Sequence, residues 1–216
     1  MLRSTIIFGL LFFILPVSSR AQTELESRLE KNLDYLESLY KDLHQTPELS
    51  FMEFNTAKKM AGELKSLGFE VHENVEGNTL LGLFRNGDGP VIMVRTDLDA
   101  LPIEEKTELP YASKVVTTDQ DGNQVAAMHA CGHDMHMTVW SGTADLLVKL
   151  KDHWKGTIIM IGQPAEEIGQ GSYNMLQDGL YERFPVPDYA LALHMNPELP
   201  VGAVGLKEGY TMASVD

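Results

Sequence analysis

Residues 91–99, VIMVRTDLD, decide the fold that the sequence predicts. The first four of them form a continuous apolar run, which is typical of a strand buried on both faces of a sheet. Two carboxylates, Asp97 and Asp99, follow this run. In open sheets of parallel strands, functional groups collect beyond the carboxyl ends of the strands. The stretch therefore predicts a buried strand that carries acidic side chains to a functional edge.

Helix and strand patterns alternate on both sides of this strand. Thr23 and Glu26 have the spacing of a capping box, and leucines then recur at helical intervals until Pro47 ends the helix. Further helices are predicted near residues 53–67, 132–150 and 172–177, further strands near 69–72, 80–84, 157–161 and 189–193, and mostly loop over 101–124. The alternation predicts an α/β domain with three α/β/α layers and a largely parallel sheet.

The composition limits the class of protein. The chain has 216 residues, of which 44% are hydrophobic and 22% are charged, as in a folded domain with a sizeable core. Its formal net charge of -14 argues against a nucleic-acid partner, because phosphate binding depends on clustered lysine and arginine. The single cysteine, Cys131, excludes a disulfide within the chain.

The first residues have the pattern of a secretory signal peptide. Arg3 precedes an apolar run over residues 6–17, and Ser19-Arg20-Ala21 supplies a small-x-small cleavage site. The run is shorter than the roughly 20 residues that a membrane-spanning helix needs, so an uncleaved anchor is the weaker alternative. We predict a signal peptide over residues 1–21, export to the periplasm or the exterior, and no membrane association of the mature form.

Side chains that bind metals recur at the predicted edge. Glu167 and His194 each follow a predicted strand, and Cys131 and His133 lie where a loop enters a helix. Thiolate, imidazole and carboxylate groups are the ligands of zinc and related ions. We therefore expect these four side chains to share one metal site.

The neighbouring carboxylates Glu166 and Glu167 need a compensating charge, because two adjacent anions repel each other. Beside a dication, one carboxylate can be a ligand while the other acts as general base on water. Asp97 can hydrogen-bond the outer nitrogen of a ligating histidine, and Asp99 can cap a turn. His136 can contact substrate or lie on a solvated helix face. The remaining histidines have the pattern of ordinary surface or core residues: His44, His72, His129 and His153.

Four ordered motifs resemble those of a metal-dependent amidohydrolase and exopeptidase family that includes hippurate hydrolase, N-acyl-amino-acid amidohydrolases and plant indole-acetyl-amino-acid hydrolases. The motifs are RTDLDALPIEE at residues 95–105, MHACGHDMH at 128–136, QPAEE at 163–167 and Leu193-His194. The resemblance implies a three-layer, zinc-exopeptidase-like domain. In the wider group a metal-binding histidine stands two residues before the aspartate, where this chain has Arg95, as does the hippurate-hydrolase-like branch, whose cysteine binds metal instead.

For the site, the resemblance implies two divalent metal ions, whether zinc, manganese, cobalt or nickel. It implies the ligands Cys131, His133, Glu167 and His194, with Glu166 as general base and Asp97 beside them. The implied reaction is hydrolysis of the amide bond of a small N-acyl amino acid or dipeptide, by a protein that is a homodimer at full length.

The resemblance also implies a domain division. Because family members are about twice as long, residues 22–210 are expected to be the N-terminal part of a catalytic domain, incomplete at its C-terminus. Residues 211–216 are then the start of a lid or dimerisation domain, and this chain alone is expected to be weakly active or inactive.

Two alternatives stay open on sequence grounds. Cys131 could be a covalent nucleophile with His133 or His136 as its base. The chain could instead be an exported module that keeps the fold without turnover.

Overall fold

The computed structural model describes residues 18–73 and 78–209. Its helices and strands are, in chain order, α1 (Ser18–Gln45), α2 (Phe54–Ser66), β1 (Glu70–Glu73), β2 (Leu80–Asn86), β3 (Val91–Asp97), β4 (Val116–Thr118), β5 (Gln124–Ala126), α3 (His133–Lys149), β6 (Gly156–Gln163), α4 (Gly171–Gln177), α5 (Leu180–Arg183) and β7 (Tyr189–Ala192). A 3₁₀ turn, Lys151–His153, separates α3 from β6. The helices and strands predicted from residue 53 onward are therefore present.

Five strands form the central sheet in the order β1-β2-β6-β3-β7. β3 lies between β6 and β7 and runs parallel to both. β2 runs antiparallel to β1 and to β6, so four of these five strands point in one direction and β2 alone is reversed. The sheet confirms the predicted α/β fold. The strand that begins at Val91 has a partner on each side, but β6 is the middle strand, and residues 91–95 are partly rather than fully buried.

Helices cover both faces of this sheet. The alternating side chains of β6 separate two apolar clusters, as expected from the two-residue repeat of a strand. Ile158 and Met160 pack with residues of α1, α2 and α3, whereas Ile159 and Ile161 pack with Met175 of α4 and with α5. The protein therefore has the predicted three layers, with the sheet in the middle.

The first helix begins earlier than the sequence predicts. It starts at Ser18, five residues before Thr23, so the expected start at the capping box was wrong. Its leucine stripe is also buried unevenly, because Leu39 and Leu43 are in the core while Leu25 and Leu33 are exposed. The C-terminal half of α1 therefore anchors the helix by packing against α3.

Residues 101–124 were expected to be mostly loop, but part of this stretch forms a hairpin of β4 and β5. The Asp119 side chain accepts the backbone N–H groups of Asp121 and Asn123 in the connecting turn. Gly122 completes the turn with a left-handed φ of 86°. Strands of three residues give too short an alternation for a sequence pattern to reveal.

Within the described residues, no helix is both long and apolar enough to cross a membrane. Residues 6–17, the expected apolar core of the signal peptide, lie outside the described ranges, as do residues 211–216. The signal peptide and the domain division stay predictions.

Candidate metal centre

Three parallel strands end at the same edge of the sheet and bring the predicted site residues together. Asp97, the last residue of β3, pairs with Gln163, the last residue of β6, and β7 ends beside them at Ala192. The loops that follow these ends carry the acidic residues and His194. Helix α3 starts at this edge with His133, after Gly132 in a left-handed conformation with φ of 82°.

His133 lies at the centre of this cluster and is fully buried. Its Nδ1 lies 2.7 Å from the backbone oxygen of Asp99. Because a carbonyl oxygen can only accept, Nδ1 carries a proton, so that Nε2 is the atom available to bind a cation. Nε2 faces carboxylate oxygens of Asp97, Glu166 and Glu167 at 3.5, 3.6 and 3.7 Å.

A second pair of predicted ligands adjoins His133. The Cys131 Sγ atom lies 3.4 Å from His194 Nε2, while Nδ1 of His194 donates to the backbone oxygen of Met195 at 2.7 Å. Ligand atoms of Cys131, His133 and His194 all lie within 4.8 Å of one another, and so do those of His133, Glu166 and Glu167. The four predicted ligands therefore converge, with His133 common to both groups.

The charges around His133 favour a cation. Burial alone would lower the pKa of His133, but the hydrogen bond to Asp99 and the charges of Asp97 and Asp99 outweigh it and raise the pKa to about 9. His133 Nε2 and Glu167 Oε1 are buried with no hydrogen-bond partner among the described residues. These unpaired nitrogen and oxygen atoms, together with the nearby sulfur of Cys131, suit a divalent metal ion, so these residues fit the implied metals.

The environment of Cys131 argues against a nucleophilic cysteine. Burial and the negative charges of Glu167 and Glu166 raise the pKa of the Cys131 thiol to about 12. Reactive cysteines have a lowered pKa, because the thiolate is the nucleophile. A thiolate at this position therefore requires a compensating cation.

Asp97 and Asp99 have different partners from those expected. Asp97 Oδ1 accepts from His136 Nδ1 at 2.8 Å, whereas the outer nitrogen of His133 is held by Asp99. Asp99 is thus more than a turn cap. His136 is buried and not on a solvated face, and its Nε2 accepts the Met195 N–H at 2.9 Å. Both ring nitrogens of His136 are therefore occupied, and the ring ties α3 to the segment that carries His194.

Arg95 occupies the place where the wider group has a metal-binding histidine, and it neutralises charge there. Its Nη1 donates to Asp97 Oδ2 at 2.9 Å, and its other nitrogens donate to Gln163. Burial alone would raise the pKa of Asp97, but the His136 hydrogen bond and the charges of His133 and Arg95 lower it to about 2. Asp97 is therefore ionised.

Comparison with known proteins identifies the family. The sequence profile described as Peptidase family M20/M25/M40 matches residues 93–215, more than half of the chain. The chain belongs to this family. An N-acetylcysteine deacetylase of Bacillus subtilis is 43% identical over 83% of this chain and 44% of its own length. An IAA-amino acid hydrolase of Arabidopsis thaliana is 34% identical over 84% of this chain and 37% of its own length.

A solved structure of family M20 has the same fold. It is a dinuclear metal-binding peptidase of Bacillus subtilis, which superposes with a TM-score of 0.74 at 39% identity. The match covers 83% of this chain and 47% of that structure. The chain thus spans less than half the length of these M20/M25/M40 relatives, and the matched part contains all four predicted metal ligands.

Two histidines that were expected to be ordinary lie near the centre. His44 is buried between Asp134 and Glu105, at 2.6 and 3.1 Å from its two ring nitrogens. His129 is buried with neither ring nitrogen hydrogen-bonded to a described residue, and burial lowers its pKa to about 4. The sequence gives no signal for the His44 contacts, because its partners lie 90 and 61 residues away along the chain.

Proposed function

We propose that this protein is a metal-dependent amidohydrolase that cleaves the amide bond of N-acyl amino acids. The observation that carries the proposal is the buried, unpartnered Nε2 of His133, which faces three carboxylates next to the Cys131–His194 pair. Membership of Peptidase family M20/M25/M40 supports the same reaction class.

Four side chains would hold two divalent ions: Cys131, His133, Glu167 and His194. Once bound, the ions would polarise the amide carbonyl and lower the pKa of water. The backbone N–H of Glu167 donates to Asp99 Oδ2 at 3.0 Å, which orients that ligand. His136 orients the segment of His194 through the Met195 N–H.

Glu166 would act as the general base and then as the general acid. Its side chain retains 35% exposure, whereas that of Glu167 retains 15%, so Glu166 lies on the open side of the pair. From there its carboxylate can accept a proton from the attacking water and return it to the leaving nitrogen. Arg95 and His136 keep Asp97 ionised and fixed, so Glu166 is left as the accessible base.

The substrate class is supported by the names of relatives. N-acetylcysteine deacetylase and N-acetyldiaminopimelate deacetylase both name substrates with an acetyl group on an amino acid, and they are 43% and 39% identical to this chain. We extend this to an N-acyl amino acid or dipeptide, without choosing the acyl group or the metal.

Export and dimerisation complete the proposal. The charged and apolar pattern of residues 1–21 supports export to the periplasm or the exterior. Homodimerisation at full length rests on the family resemblance. N-terminal sequencing of the natural protein tests export, and Gln22 is expected as its N-terminal residue. Light scattering of the full-length protein tests homodimerisation.

The reaction is tested with metal-stripped full-length protein and a panel of N-acetyl and N-benzoyl amino acids. Hydrolysis is expected only after zinc, manganese, cobalt or nickel is added, and chelators should abolish it. Glu166→Gln should lower kcat by about 10²- to 10⁴-fold while cobalt still binds, because general-base catalysis contributes about that much.

The adjacent variant Glu167→Gln is the matched control, and it should weaken cobalt binding itself. Hydrolysis that is indifferent to chelators, or a protein that binds no divalent ion, would overturn the proposal. Metal binding without turnover of any substrate would favour the alternative of an exported module without catalysis.

A further inference from the structure

A second buried carboxylate, Glu53, lies behind the loop that carries Glu166. Glu53 directly precedes α2 and its exposure is 0%. Its Oε1 atom accepts the backbone N–H groups of Phe51 and Ala165 at 2.9 and 2.8 Å. Its Oε2 atom accepts the side-chain amide of Asn78 at 3.1 Å. One side chain thus joins the start of α2 to the loop after β6.

The two backbone groups held by Glu53 belong to strained residues. Phe51 and Ala165 have left-handed φ angles of 64° and 48°. Residues with a Cβ atom adopt this region rarely and keep it where surrounding contacts hold it. Among the described residues, Glu108 is the one other non-glycine with positive φ. The same carboxylate oxygen therefore fixes two of the three strained positions.

Ala165 sets the conformation of the loop that presents Glu166. Its carbonyl accepts the N–H groups of Gln170 and Gly171, each at 3.2 Å, which closes the turn. On the far side of Glu166, the N–H of Glu167 is held by Asp99. Glu166 is thus flanked by two backbone N–H groups that are each fixed by a buried carboxylate.

A carboxylate is a costly choice for this position. All three partners of Glu53 are neutral N–H groups, and burial raises its pKa above the ordinary value. A glutamine would be less costly to bury, but its single oxygen could not serve donors on both sides, and its NH₂ group would face another donor. The arrangement of three donors requires two acceptor oxygens.

We infer that Glu53 is a positioning residue, which orients the general base Glu166 by holding the left-handed Ala165. The inference rests on the proposed function of Glu166. It predicts that loss of the Glu53 carboxylate affects turnover rather than metal or substrate binding.

The test compares three variants of the metal-loaded, full-length protein. Glu53→Gln should lower kcat by about 10- to 100-fold, because small misplacements of a catalytic group have effects of that size. KM and cobalt affinity should stay within about twofold of the wild-type values, since the contacts that bind substrate and metal are not altered. Hydrogen exchange of the amides in residues 164–171 should accelerate. Adding Asn78→Asp to Glu53→Gln should restore both kcat and slow exchange. Residue 78 then supplies the acceptor oxygen and residue 53 supplies the NH₂ donor, which is the reverse of the wild-type pair.

Glu48→Gln is the matched control, because Glu48 accepts hydrogen bonds from Asn55 and Thr56 at the same helix start without contacting Ala165. The inference is overturned if Glu53→Gln keeps the wild-type kcat and exchange, if Glu48→Gln causes the same losses, or if the double variant stays impaired. Should Glu53→Gln not fold, the double variant decides, and it must fold and turn over. If the wild-type protein hydrolyses nothing, the proposed function fails, while hydrogen exchange still tests the hold of Glu53 on the loop.

Discussion

Two clusters of histidine and carboxylate groups meet at the first turn of α3, and they differ in how completely their polar atoms are paired. In the metal centre, His133 Nε2 and Glu167 Oε1 have no hydrogen-bond partner among the described residues. In the cluster behind it, which we call the His44 cluster, both nitrogens of His44 contact carboxylates, those of Asp134 and Glu105. The adjacent residues His133 and Asp134 thus belong to different clusters.

This difference in pairing distinguishes a structural cluster, the His44 cluster, from a functional one, the metal centre. In the His44 cluster, the remaining carboxylate oxygens also have donors: the Ser113 N–H bonds Glu105 at 2.6 Å, and the Met135 N–H bonds Asp134 at 2.8 Å. The polar atoms of these three side chains are therefore paired with one another or with backbone N–H groups. The metal centre has more acceptors than donors, so an additional cation is needed to complete it. Composition alone does not distinguish the two clusters.

The largest effect that this comparison predicts is on folding stability. His44→Ala leaves the buried carboxylates Asp134 and Glu105 without a cation, so the free energy of unfolding of the metal-free protein should fall by about 3–5 kcal/mol. Urea denaturation near neutral pH measures the change. Metal affinity should change much less than stability, because the cluster contributes no metal ligand.

His153→Ala is the matched control, since His153 is exposed in the 3₁₀ turn Lys151–His153. It should change the free energy of unfolding by about 0.5 kcal/mol or less. Equal destabilisation by the two variants would mean that the His44 cluster is not a special source of stability.

The second prediction concerns the metal centre, where the effect should fall on binding. Cys131→Ser removes the thiolate next to His194, so zinc affinity should fall by more than about 100-fold, beyond the loss caused by changing residues that only support a ligand. A competition titration with a chromophoric chelator measures it. The free energy of unfolding of the metal-free protein should change by about 1 kcal/mol or less, because Cys131 is partly exposed and its contact with His194 is long. Unchanged zinc affinity would remove Cys131 from the ligand set.

Much of the fold could be predicted because its signals are local. The apolar run that begins at Val91 and the helix that follows Gly132 each depend on neighbouring residues. The start of α1 was missed because the helix extends beyond the capping box at Thr23, back to Ser18. The β4–β5 hairpin was missed because its strands have three residues each, which is too short for an alternating pattern to be seen in the sequence.

The site was predictable in its residue types but not in its pairings. Cys131, His133, Glu167 and His194 converge because parallel strands end at one edge, which is a rule of topology. By contrast, Asp99 rather than Asp97 holds His133, and that choice depends on side-chain directions fixed in three dimensions. Contacts over 90 or 112 residues, as at Asp134 and Ala165, have no periodic signal in a sequence.

The smallest predicted effect is the pH dependence of the His44 cluster. Burial alone would lower the pKa of His44, but hydrogen bonds to Asp134 and Glu105 outweigh it and leave the pKa above its ordinary value of about 6.5. The protonated ring is therefore favoured by folding, so its stabilisation is complete below about pH 6.5 and is lost as pH rises through the folded-state pKa. The difference in unfolding free energy between wild type and His44→Ala should narrow as the pH rises above about 6.5, by less than the truncation of His44 itself costs. Titrating groups of the metal centre are present in both proteins and cancel in this difference. A constant difference would mean that folding leaves the pKa of His44 unshifted, and a difference that widens with pH would mean that folding lowers it. In either case the ring would be mostly neutral above about pH 6.5, and the cluster would then lack the internal cation that distinguishes it from the metal centre.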